Sequence, residues 1–167
     1  NTTNRTTRTR RIESLENRTM MAGDVTVQLI SHDLTLTGDD ANNDILVDEI
    51  STDRIRVTGE NGTRINGSSD PVTFTVKDDV RMDLKGGHDH VTVKNLKLTN
   101  TSHSDLRVNL GSGYDKLDIE STSVKQNLIV EGGSGNDAVN LLEVSAGRNI
   151  EMNGQHGHDQ IEMDDST

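Results

Sequence analysis

The chain has no cysteine, no tryptophan, one tyrosine, one phenylalanine and one proline in 167 residues. Without cysteine there is no disulfide framework and no thiolate zinc or redox site, and the compartment stays open. With two aromatics, the stacking platforms that hold sugars, bases or flat cofactors are missing. Hydrophobic residues make up 29% of the chain, below the ~45–50% of ordinary domains even with glycine added, which excludes a thick conventional core. No apolar run approaches the ~20 residues of a membrane-spanning helix, and no intact signal peptide is visible. The net charge of −11 argues against nucleic acid as a partner and for cations or a basic partner surface.

That charge is divided. Residues 1–22 carry Arg5, Arg8, Arg10, Arg11 and Arg18 against Glu13 and Glu16, net +3, which leaves net −14 for residues 23–167. The first stretch has six threonines and no apolar pattern before Ile12, Leu15, Met20 and Met21. It reads as a basic extended arm (1–22) ahead of an acidic domain (23–167).

The domain repeats. Alternating apolar pairs open units at Leu34, Ile55, Val80, Leu106, Leu128 and Ile150, spaced 21, 25, 26, 22 and 22 residues apart. Each opening pair has period two, as a strand with one buried face requires. A turn rich in Gly, Asp and Asn follows, then a second pair at Val91/Val93, Leu117/Ile119, Val139/Leu141 and Ile161/Met163, and a weaker third strand at Leu96/Leu98 and around Val124 and Val144. A unit this small buries one narrow row and must stack on its neighbours. The expected fold is all-β: a right-handed parallel β-helix, or β-solenoid, of about six coils of 21–26 residues, the handedness following the general preference of crossovers. A compact antiparallel sandwich is the competing architecture. Residues 66–79, holding Pro71, read as a loop bulging from one coil.

The turns carry the chemistry. Gly132-Gly133-Ser134-Gly135-Asn136-Asp137-Ala138-Val139-Asn140 fits the nonapeptide G-G-x-G-x-D-x-U-x at every specified place, and the turns at Asp115 and Asp159 fit in part, that at Asp89 less well. These turns resemble the repeats-in-toxin family of calcium-binding β-rolls, although that family runs its nonapeptides back to back and this chain places one per coil. The resemblance implies Ca2+ at Gly133, Gly135, Asp115, Asp137 and Asp159, glycine turning carbonyls toward a site and aspartate adding the hard oxygen that calcium takes. Each Asp equally suits capping its own turn through backbone N–H groups. His88 and His90 flank Asp89, and His156 and His158 precede Asp159. Their spacing matches no closed metal site, so they read as solvated turn residues.

Six sequons, at Asn1, Asn4, Asn17, Asn61, Asn66 and Asn100, point to an exported glycoprotein with surface glycans. The stretch from Arg10 to Val25 resembles the R-x-x-E-x-L-E-x-R-x-L-L-A-G-D-V segment near the N-termini of secreted planctomycete proteins, with Met where Leu is usual. It implies an extracellular or cell-surface location. Catalysis has little support, because sugar-cleaving β-helices line a groove with aromatics that are missing here; no enzyme is expected.

The ends of the stack point to its use. Asp24 to Leu29 alternates ahead of the first unit, where a third wall would lie, while the last unit stops after Ile161 and Met163 without a third strand or cap. An uncapped solenoid edge templates pairing with another chain. The expected function is a structural subunit of an extracellular filament, a homopolymer joined head to tail. Its joint would use Val25, Val27 and Leu29 against Ile161 and Met163, with Arg8, Arg10, Arg11, Ile12 and Leu15 of the arm lying along the acidic neighbour. In the opposing reading, Val25 to Leu29 caps its own first coil. The alternative function is a calcium-binding β-solenoid module of a surface or adhesion protein, followed by a carbohydrate-active β-helix.

Overall fold

A computed structural model describes residues 23–99 and 104–167. The N-terminal end consists of β1 (Asp24–Ile30), β2 (Asp33–Thr37), β3 (Asp44–Ser51), β4 (Arg54–Gly59), β5 (Arg64–Ile65) and β6 (Val72–Thr75). Coils follow: β7 (Val80–Asp83), β8 (His90–Lys94) and β9 (Lys97–Leu98); β10 (Leu106–Gly113), β11 (Lys116–Glu120) and β12 (Ser123–Val124); β13 (Asn127–Gly135), β14 (Ala138–Leu142) and β15 (Ser145–Ala146); then β16 (Asn149–His156) and β17 (Gln160–Asp164). There is no helix among the described residues.

Equivalent strands of successive coils pair in parallel and build three walls. The first runs β16-β13-β10-β7-β2-β1-β5, the second β17-β14-β11-β8-β3-β4-β6, and the third β15-β12-β9. The protein is a β-solenoid, as its period-two units require. Register turns the apolar pairs into columns: Leu34, Val80, Leu106, Leu128 and Ile150 stand over one another in the first wall, and Ile45, Val91, Leu117, Val139 and Ile161 in the second. Because the core is a set of such columns, 29% hydrophobic residues fill it. Leu96, Leu98, Val124 and Val144 are buried along the third wall.

The coil count differs from the sequence expectation. The unit opening at Ile55 is not a coil. β4 turns back antiparallel to β3, β6 pairs antiparallel with β4, and β1 pairs antiparallel with β2. Four coils therefore stack on the two-strand turn of β2 and β3, and the antiparallel strands cover the N-terminal end. Ile55 and Val57 alternate as a coil strand would, but period two records a buried face and not the direction of a strand. The segment with Pro71 is also more than a loop, since Val72–Thr75 forms the edge strand of the second wall. Proline just ahead of an edge strand costs no ladder bond.

Two further differences concern the ends. β1 lies in the first wall over its own β2, not in a third wall. Val25 and Val27 are buried there. At the far end, the Thr167 N–H donates to the Val144 carbonyl at 2.8 Å and the Thr167 carbonyl accepts from the Ala146 N–H at 2.8 Å, so Thr167 begins a third wall for the last coil.

The first wall's N-terminal edge is closed by a side chain. β5 pairs with β1 only at Asp24 and Val25. Beyond it, the Asn66 carboxamide takes the place of a peptide: its Oδ1 accepts from the Val27 N–H at 2.8 Å and its Nδ2 donates to the Val27 carbonyl at 3.1 Å. Replacing Asn66 with Ala leaves both Val27 groups without that partner. Thermal unfolding should show a loss of about 1–2 kcal/mol, and hydrogen exchange at Val27 should accelerate.

Candidate functional site

Two places in the stack carry chemistry beyond packing. The first is the corner between the first and second walls, where the Gly-rich turns lie over one another. Here Asn43, Asp89, Asp115, Asp137 and Asp159 form a column. The backbone N–H of each of the first four donates to Oδ1 of the next: Asn43 to Asp89 at 2.7 Å, Asp89 to Asp115 at 2.8 Å, Asp115 to Asp137 at 3.0 Å and Asp137 to Asp159 at 3.0 Å. The aspartates do bond turn N–H groups, as the capping reading holds, but across coils rather than within one turn.

Only one oxygen of each carboxylate is used. Oδ2 of Asp89, Asp115 and Asp137 is buried without a hydrogen-bond partner among the described residues, on side chains of residues that are each 2% exposed. Burial pushes Asp89 up to about 7, the Asn43 N–H opposing it and the Asp115 charge adding to it. Burial likewise pushes Asp115 up to about 6, and Asp137 is raised for the same reason. Asn43, in the same column, is satisfied: its Nδ2 donates to Asp39 Oδ1 at 3.0 Å and to the Ala41 carbonyl at 3.1 Å.

Glycine shapes the space beside the upper carboxylates. A Cβ on Gly132 would lie 2.8 Å from Asp137 Oδ2, and one on Gly154 would overlap Asp159 Oδ2. In the two coils below, this position holds the fully buried Leu84 and Leu110. At the turns of Asp137 and Asp159, where the sequence pattern is fullest at the first and partial at the second, the carboxylate thus packs against a glycine where the two lower coils place a leucine side chain. The orphaned oxygens are of the hard type that a cation such as calcium takes. Gly133 and Gly135 contribute positive φ, 100° and 142°. No group of three His, Asp or Glu side chains able to hold a metal occurs among the described residues, so a cation here would draw on backbone oxygens as well.

The histidines are not brought together. The His88 ring stacks on Tyr114 with centroids 5.0 Å apart, and its Nδ1 accepts from the Tyr114 N–H at 2.8 Å. His90 lies between Asp118 at 3.1 Å and Asp44 at 3.5 Å on the outer face of the second wall. His156 and His158 are exposed.

The second place is the C-terminal rung. Among the described residues, β16 and β17 pair on one side only. Their inward row continues the core columns, yet Ile161 is 42% and Met163 47% exposed, where Ile45, Val91 and Leu117 in the same column are at 0%. Leu142, beside Met163 on the outer surface, is exposed as well. Acidic side chains rim this end: Glu151, Glu162, Asp164 and Asp165. The opposite end is blunted by β5, Asn66, β6 and Pro71.

Of the joint residues expected from sequence, Ile161 and Met163 are open and Leu29 is partly so, whereas Val25 and Val27 are occupied within the chain's own cap. Arg8, Arg10, Arg11, Ile12 and Leu15 lie outside the described residues, as do Asn1, Asn4, Asn17 and Asn100. The Asn61 amide donates to the Asp44 carboxylate, and the Asn66 amide is engaged on Val27. Sequence reasoning missed Asn43 and a second ladder, in which Asp33, Asp79 and Asp105 accept from the N–H of Asp79, Asp105 and Asn127 at 3.1, 2.9 and 2.9 Å. Both were signalled, since an Asp or Asn stands two residues before each second-strand pair and one before each coil's opening residue. Comparison with family models, with curated proteins and with solved structures gives no match.

Proposed function

We propose that the chain is a structural subunit of an extracellular filament, copies joining head to tail through the C-terminal rung. The observation that carries this reading is the half-open inward row at Ile161 and Met163 on strands that pair on one side among the described residues. Such an edge is a template for another chain, and a heterologous contact that does not close a ring propagates. Charge favours a second copy as the occupant. The arm carries net +3, and the rung it would meet is rimmed by Glu151, Glu162, Asp164 and Asp165.

Electron microscopy and sedimentation of the full chain test this. Filaments are expected with an axial repeat of roughly 24 to 34 Å, five rungs of ~4.8 Å if the antiparallel strands leave the stack and seven if they stay in it. Deleting residues 1–22 should weaken end-to-end association and steepen its concentration dependence. Lone particles at every concentration overturn the reading; undiminished assembly after the deletion removes the arm from it.

A second reading is favoured by the orphaned oxygens of Asp89, Asp115 and Asp137: a calcium-binding solenoid module of a surface or adhesion protein. Gly133, Gly135, Asp137 and Asp159 would hold the ion in the upper turns, and Asp115 would border them. The ion would neutralise a carboxylate column whose charges otherwise repel. Here calcium should raise the melting temperature at pH 8 and chelator should lower it, whereas strand pairing alone predicts neither.

A further inference from the structure

If copies do join head to tail, the face that meets the C-terminal rung remains to be named, because the cap covers the N-terminal end. The geometry points to β2 and β3 as that face, with the antiparallel cap acting as a displaceable cover over it. This inference rests on the end-to-end reading and adds the partner surface to it.

β2 and β3 already stack on β7 and β8 in parallel, in the columns that end at β16 and β17. Their inward residues Leu34 and Leu36, Ile45 and Val47 are the same in kind and place as Ile150 and Met152, Ile161 and Met163 at the other end. Setting β2 and β3 of one copy on β16 and β17 of another adds a rung without a break in any column. The corner ladder continues too. The Asp159 N–H follows the Asn43, Asp89, Asp115 and Asp137 N–H groups, each of which donates to the next coil's side-chain oxygen. In the joint, Asn43 of the second copy stands in the acceptor's place, and its carboxamide must turn from Asp39 and Ala41 to present Oδ1.

What prevents this in a single molecule is the cover, and the cover is held by joints of unequal quality. β1 turns into β2 through Ser31 and His32, both at positive φ, 52° and 79°, with neither glycine nor asparagine to ease the turn. A tight hairpin of this kind favours Asn-Gly or Asp-Gly, and residues that lack those properties store strain there. The outer edge of β1 is bound only at its first half. Leu29 and Ile30 at its far end are exposed. β4 departs from β3 at a bulge between Glu49 and Ser51.

The outer faces decide how the joint responds to salt. Opening the cover breaks the Arg56–Asp48 ion pair between β4 and β3, at 3.0 and 2.6 Å, and stacking then places Asp164 against Asp48 of the second copy; added salt weakens the pair that holds the cover and screens the like-charge meeting. Assembly by cap displacement therefore speeds up as salt rises, and it shows a lag, since the cover must open first. An arm held on the acidic surface by ion pairs alone would weaken under the same change.

Locking the cover tests the inference directly, because the chain has no cysteine of its own. Gln28 and Thr35 are register partners across β1 and β2, and Leu46 and Thr58 across β3 and β4. Each pair is replaced by cysteines in a separate variant, Gln28→Cys with Thr35→Cys and Leu46→Cys with Thr58→Cys. Folding is checked by circular dichroism, and assembly by light scattering and electron microscopy, oxidised and reduced, beside the wild type under the same oxidant. Lag-phase assembly is expected from the wild type and from both reduced variants, with the oxidised variants remaining single particles. Oxidised variants that assemble as fast as their reduced forms overturn the displaced cover while leaving the filament standing. A wild type that does not assemble at any salt concentration overturns both.

Discussion

Replacing Gly135 with alanine should strip the folded stack of much of its stability. Gly87, Gly113, Gly135 and Gly157 stand over one another in the turn corner, and a Cβ on Gly135 would fall onto the carbonyl oxygen of Gly113 in the coil below. The obstruction is backbone, so no rotamer change relieves it, and the φ of 142° is itself unfavourable to an L side chain. Together these cost about 4 kcal/mol or more, a large part of the ~5–15 kcal/mol that holds a domain of ordinary stability. Gly113→Ala, which meets the Gly87 carbonyl, should behave alike. Gly67→Ala is the control: it also sits at positive φ, but its Cβ would meet only Asp24 Oδ2, at 3.9 Å. It should cost about 1 kcal/mol. Urea unfolding of the three variants separates a need for closeness between coils from a need for left-handed backbone alone.

Asp89→Asn should move stability in the opposite direction. In the unfolded chain, an aspartate titrates near ~3.9; in the fold, burial lifts Asp89 to about 7 and Asp115 to about 6. Between those values the folded chain keeps protons that the unfolded chain has lost. The proton-linked stability is thus full below about pH 4 and is lost as pH rises through 7. Asp105 and Asp118 run the other way: burial pushes them up, but hydrogen bonds from Arg107 and Asn127, and from Lys116, Asn140 and His90, outweigh it and hold them low. Their contribution disappears only in acid, below the ordinary carboxylate range. In metal-free buffer the melting temperature should therefore rise from pH 8 to pH 5. At pH 8 an asparagine at position 89 should stabilise by about 1 kcal/mol, its Oδ1 still accepting the Asn43 N–H without a buried charge and its Nδ2, unlike that of Asn43, left without an acceptor, which offsets part of the gain. A flat profile from pH 8 to 5, or a destabilised Asp89→Asn, would mean that the charge is compensated by something the side chains of the fold do not supply. Calcium added to the wild type, and withheld from it, then identifies whether a cation is that partner.

The coils were legible in the sequence because one side chain in two points inward and every coil repeats the same inward row. Leu106/Val108, Leu117/Ile119 and Val124 were readable as the three walls of one coil before any coordinates. The cap was not. Ile55 and Val57 alternate just as the coil strands do, and the clue that separates them lies in the turns: Gly59 to Thr63 lacks the G-x-D of the coils. The glycine pattern located the right corner but not its internal chemistry. That Asp137 bonds the N–H of Asp115 follows from stacking register, which a single turn's sequence does not state. Asn66 was readable only as a sequon, since its role depends on Val27, far away in the chain.

The cross-coil ladders have a mechanical consequence. The hydrogen bonds joining one coil to the next run along the axis of the stack, so a tensile load between its ends falls on them directly. All the bonds of one interface share that load, whereas successive interfaces bear it in series. The weakest interface then gives way as a unit and releases one coil, 22 residues in the upper part of the stack, or about 70 Å of slack at full extension. Such a body yields under strain in equal steps instead of snapping once, and each peeled coil can rewind onto the rung beneath it when the pull is relaxed.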